Sequence, residues 1–152
     1  MALDLQSILP QLLAPAVAWA EMQSHQVQEE GERLSAPNLA LARNAGVKQP
    51  ELIRTKTVAE LPLPTEPILR QAALQTGLLG PEMVGLTLGY SILVVSGHLT
   101  PRLVSHECRH VYQYEMHGSI AAFLPVYLEQ IVTAGYWDAE FEQDARAHEV
   151  EA

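Results

Sequence analysis

The 152-residue chain contains a single cysteine, Cys108, and only 9 lysines and arginines against 18 aspartates and glutamates. One cysteine excludes an internal disulfide and fits a reducing compartment, so a cytoplasmic location is expected. A formal net charge of −9 disfavours nucleic acid and anionic membrane surfaces as partners, because both would be repelled. No uninterrupted run of 18 apolar residues is present, so no membrane span is expected. The apolar stretch 8–20 has no preceding lysine or arginine, carries Asp4 where a leader would be basic, and is broken by Pro10 and Pro15. It does not read as an export signal. Internal repeats and low-complexity segments are also lacking. The length suits one minimal domain, long enough for a core but too short for separate catalytic and substrate-binding lobes.

Ten prolines imply several short elements rather than one long bundle. Residues 15–34 mix apolar and polar positions as an amphipathic helix does, and Pro37 opens a second helix that Gly46 closes. The first 46 residues therefore read as a helical part. Period-two alternation through Ile53, Thr55, Thr57 and Ala59 predicts a strand in 51–61, and a brief helix follows over 68–76. Residues 84–95 are β-prone throughout and read as one strand, with Ser96-Gly97 as the turn. Gly85 and Gly89 mark packing concessions or places of close backbone approach, as by a substrate strand. An exposed edge there would accept an extended peptide by strand addition. Helices are expected at 119–133, kinked or broken by Pro125, and at 139–150.

One five-residue stretch carries chemistry. His106-Glu107-Cys108-Arg109-His110 reads H-E-x-x-H, and its surroundings predict a helix: Thr100 as N-cap, Pro101 at the first helical position, helical spacing of apolar residues, then Gly118. On a helix the two imidazoles stand one turn apart on one face and can grip a single metal ion, with Glu107 beside it. Zinc lowers the pKa of a water it binds to about 7, and a neighbouring carboxylate can take the proton as that water attacks a peptide carbonyl. Cys108 lies about 200° round the helix from His106 and should face the core.

A third ligand must come from elsewhere. The acids of 138–149 are the candidates, and Glu142 is favoured because Ala145, one turn on, would let its helix pack closely against the His106/His110 helix. Glu140 and Asp144 would then point elsewhere. A solvated acidic face is the plainer reading of the same residues. Tyr127, Tyr136 and His148 have the chemistry to donate to an oxyanion, although core packing is the plainer reading of both tyrosines. Gln113 and Glu115 read as supporting polar residues, and Arg109 as the partner of a nearby acid. His25, His98 and His117 read as surface or capping residues.

With these residues in view, the chain resembles the small gluzincins of minigluzincin type. The similarity rests on Gly85-Leu86-Thr87-Leu88-Gly89, the helix His106 to Glu115, Gly135-Tyr136-Trp137 and Glu142-Gln143-Asp144-Ala145-Arg146, about the last 70 residues. The resemblance implies an α+β fold with a small twisted sheet whose edge strand, about 84–95, leads into the active-site helix. It also implies zinc on His106, His110 and Glu142, with Glu107 as general base in peptide hydrolysis. A partner copy or the C-terminal segment covering the cleft, as in a zymogen, belongs to the same expectation. Larger gluzincins often have an acid four residues after the ligand glutamate, where this chain has Arg146, so support for the ligands must come from Asp144 or a main-chain carbonyl. The competing reading is a non-catalytic zinc-binding interaction or structural module using the same ligands.

Overall fold

The computed structural model describes residues 2–151, which order as α1 (Leu5–Glu30), β1 (Glu32–Arg33), α2 (Ala36–Asn44), β2 (Arg54–Val58), α3 (Pro67–Gln75), β3 (Gly85–Leu88), β4 (Ser91–Val95), α4 (Pro101–His117), α5 (Ile120–Ala134) and α6 (Glu140–Ala147). The α+β class is therefore as expected. The sheet is mixed, in the order β1-β2-β4-β3, with β4 parallel to β2 and antiparallel to β3.

Two expectations need correction. Residues 84–95 are a hairpin rather than one strand, because Gly89 takes φ +65° and, with Tyr90, forms the two-residue connection between paired Leu88 and Ser91. A glycine with positive φ in the first central position is the pattern of a II′ turn, whose twist matches that of the strands it joins. Of these two strands β3 lies at an edge of the sheet and β4 is internal. The first helix begins at Leu5 and ends at Glu30, not at 15–34, with Asp4 capping the Ser7 amide. Pro10 and Pro15 lie inside it and Pro125 lies inside α5. Each proline frees the carbonyl four residues back, on Gln6, Gln11 and Ala121. All three of those residues are exposed, so solvent can satisfy the carbonyls and the helices continue.

Register decides what each sheet face carries. Thr87 pairs with Ile92 and Gly85 with Val94, so these four share one face, while Leu86, Leu88, Ser91 and Leu93 share the other. Ile92 and Val94 bury against Val104, Cys108 and Val111 of α4. On the opposite face, Leu93 packs with Val27 of α1, and the Ser91 hydroxyl bonds to Ser24 of that helix. The sheet is thus sandwiched between α1 and α4. A larger cluster joins α1, α3 and α5 through Leu12, Ala16, Leu69, Ala72, Phe123 and Ile131. Among the described residues no helix is long and apolar enough to cross a membrane.

Candidate metal centre

Helix α4 is built as the sequence requires. Thr100 caps the Leu103 amide, Pro101 stands in the first turn, and Gly118 closes the helix at φ +94°. Apolar residues at 104, 108 and 111 fix its rotation on the sheet, and Cys108 is fully buried there. Burial, and secondarily the Glu107 charge, push the Cys108 thiol up to about 12, so it behaves as a small core hydrophobe. Fixing that face turns His106, His110 and Gln113 toward α6.

Glu142 and Ala145 are the buried residues of α6, and Ala145 has no exposed surface. The helix can therefore approach α4 closely enough for one carboxylate to span both imidazoles. His106 Nε2 lies 3.2 Å from Glu142 Oε1 and His110 Nε2 lies 3.0 Å from Glu142 Oε2. One ligand atom from each of the three residues falls within 4.8 Å of the others, a group that could hold a metal ion. The three side chains are 12%, 8% and 2% exposed. Two imidazole nitrogens and a carboxylate oxygen in a nearly closed site form a donor set suited to a divalent transition metal.

Each of the three has its own outer partner. His106 turns Nδ1 to Glu149 Oε2 at 2.8 Å, and His110 turns Nδ1 to Gln113 Oε1 at 2.8 Å. Tyr127 donates its hydroxyl to Glu142 Oε2 at 2.7 Å. Gln113 is itself held, its amide donating to Phe141 O and Asp144 Oδ2, while Arg109 pairs with Asp144 at 2.8 and 3.3 Å. Such outer bonds fix which imidazole nitrogen faces the metal and how the ring is turned.

The expected support from Asp144 is thus indirect, through Gln113, and a different acid serves His106. Seven residues past Glu142, Glu149 lies beyond the end of α6, where the Val150 amide bonds to Ser105 Oγ and returns the chain to α4. Helical periodicity alone does not reveal that return. Arg146 faces away, stacking on the Trp137 ring at 3.9 Å and bonding to the Trp137 carbonyl. His148 also leaves the cluster, its Nδ1 bonding to Asp144 O. The Glu115 carboxylate caps the Lys48 and Gln49 amides and accepts from Tyr90, a structural role apart from the cluster.

Glu107 occupies the remaining side. Its Oε1 accepts from Thr87 Oγ1 at 2.8 Å, while Oε2 lies 4.0 Å from His106 Nε2. The hairpin register places Thr87 on the α4 face of the sheet, so one strand position orients this carboxylate. A Cβ at Gly85 would stand 3.0 Å from Glu107 Oε2 and Leu103 Cδ1, which accounts for the glycine as a close approach rather than a bend.

The electrostatics follow from this crowding. Burial pulls the His106 imidazolium down, but Glu142, Glu107 and Glu149 outweigh it and lift its pKa to about 9. His110 is raised in the same way, burial being overcome chiefly by Glu142. Glu142 is held well below the usual carboxylate range: its burial is outweighed by His110, His106 and Tyr127. Burial, reinforced by Glu142, raises the hydroxyls of both Tyr127 and Tyr136, so both remain donors at neutral pH. The carboxylates thus make the cluster a place that favours a cation. No protein-family model matches the chain, and neither a curated protein nor a solved structure matches it.

Proposed function

We propose that the chain is a zinc-dependent metallopeptidase, with His106, His110 and Glu142 as ligands and Glu107 as general base. The observation that carries this reading is the placement of Glu107: one oxygen is tethered to Thr87 and the other faces the ligand cluster. Unlike Glu149, which is spent on the outer nitrogen of His106, Glu107 leaves one oxygen turned to the ligand cluster. Zinc, when bound, supplies Lewis-acid activation of a water and of a carbonyl. Glu107 Oε2 then takes the proton of the attacking water and delivers it to the departing amine nitrogen. Tyr136, which borders the same cavity as Glu107 and Glu142, is the donor toward the developing oxyanion. Tyr127 is held by its 2.7 Å bond to Glu142, whereas the Tyr136 hydroxyl, which also lies toward Glu142, would turn from that carboxylate to serve the oxyanion. The edge of β3 aligns an extended peptide, since among the described residues that strand pairs only with β4.

Zinc titration followed by exposure to a broad peptide library tests the proposal. Expected are one zinc per chain, lost in His106→Ala or Glu142→Ala, and cleavage that requires the metal. One zinc per chain without cleavage of any peptide would instead establish the non-catalytic zinc module. A preparation that retains no zinc would remove both readings.

A further inference from the structure

An apolar cavity of about 110 Å3 ends at the candidate metal centre. Its wall is shared among Ala16 and Trp19 of α1, Leu69 and Ala72 of α3, the β3 strand, and Leu128 and Ile131 of α5. At one end the lining changes to Glu107, His110 and Glu142. Several polar tips in the wall are already engaged, Thr76 Oγ1 with Ala72 O, Thr87 Oγ1 with Glu107 and Tyr127 with Glu142, and the Tyr136 hydroxyl lies toward Glu142 at the metal end. A charged group among the aliphatic lining would therefore lose its hydration with few partners to replace it. Most of this wall offers only hydrocarbon contacts. For scale, an apolar cavity of roughly 150 Å3 holds a single benzene and stays dry.

We propose that this cavity is a specificity chamber that takes one isobutyl- to phenyl-sized apolar side chain of a peptide whose carbonyl sits at the metal centre, with Ala16 and Ala72 setting its depth. The location of the carbonyl rests on the metallopeptidase reading; the chamber's preference for hydrocarbon does not. The proposal gives α1 and α3, which carry none of the candidate ligands, a role in substrate choice. Apart from glycine, alanines are the smallest side chains in the wall, so methylene groups added there enter the free space directly.

Two measurements separate the chamber from the metal reading. First, benzene is added to the metal-free protein and its melting midpoint is followed. A rise is expected in the parent, and its loss in Ala72→Leu. Second, acetohydroxamate and 4-methylpentanohydroxamate are titrated into the zinc-loaded protein. The longer probe should bind at least about tenfold tighter, since each buried methylene contributes ~0.8 kcal/mol. That ratio should fall toward one in Ala72→Leu and grow for a phenylalkyl hydroxamate in Leu128→Ala. The enlarging variant decides the matter even if the filling variant does not fold. Failure of benzene to bind the parent, or equal binding of the two hydroxamates, overturns the proposal. Hydroxamates that do not bind while benzene does would instead sink the metal reading and leave the chamber standing.

Discussion

On the proposed metal reading, Glu149 and Gln113 set how tightly His106 and His110 would hold an ion, because each fixes the outer nitrogen of its imidazole by a 2.8 Å bond. Removing such an outer partner typically costs 10–100-fold in metal affinity. Glu149→Ala and Gln113→Ala should each weaken zinc binding by about that factor in a chelator competition, while Glu149→Gln should retain part of it. Unchanged affinity in both alanine variants would show that the outer bonds do not orient the ligands. The H-E-x-x-H pair and Glu142 were legible because i, i+4 spacing and a small residue one turn past the acid have direct geometric meaning. Glu149 was not, because its position depends on the chain turning back after α6 to bond Ser105.

At the scale of elements, the hairpin and α4 act as one unit. The β3–β4 register puts Thr87 and Gly85 opposite Ile92 and Val94, on the face that α4 covers, and so brings two strand residues to Glu107. A slip of one residue would turn both away. Gly85→Ala should therefore disturb catalysis more than folding: its Cβ, 3.0 Å from Glu107 Oε2, displaces a carboxylate whose other oxygen is tethered. Peptide turnover should fall on the order of 10²-fold with zinc content unchanged, since a shift of about 1 Å can carry that cost. Parental turnover in that variant would contradict the positioning role given to β3. The strand content of 84–95 was readable from its β-branched residues. The turn was hidden because Gly89 and Tyr90 interrupt an apolar run without any polar cluster, and only the positive φ at Gly89 separates the two strands. The helix through Pro10 and Pro15 was missed for a related reason: proline signals a break, yet exposure of Gln6 and Gln11 removes most of the penalty.

Taken as a whole molecule, the fold concentrates ionisable groups at one place that metal-free protein must still neutralise. His106, at about 9 when folded, lies above the ordinary 6.5 of an unfolded histidine. Its contribution is complete below about pH 6.5 and is lost as pH rises through about 9, on the order of 3 kcal/mol. Glu142 acts in the opposite direction: depressed when folded, it stabilises above the ordinary carboxylate range and fails as acid protonates it. Metal-free protein should thus be most stable between about pH 5 and 6.5, and its melting midpoint should fall from pH 6.5 to 9. If the cluster holds zinc as proposed, added zinc should reverse the alkaline trend, because binding would displace the imidazolium protons and strengthen as pH rises. A chelated sample whose midpoint is flat over that range would contradict the electrostatic account of the cluster.

The most direct test compares single-turnover peptide cleavage by the parent and Glu107→Gln at matched zinc content. One zinc per chain in both proteins, with cleavage reduced 10²–10⁴-fold in the variant, is the predicted result. Equal cleavage by the two zinc-loaded proteins would contradict the assignment of Glu107 as general base, on which the account of this site rests.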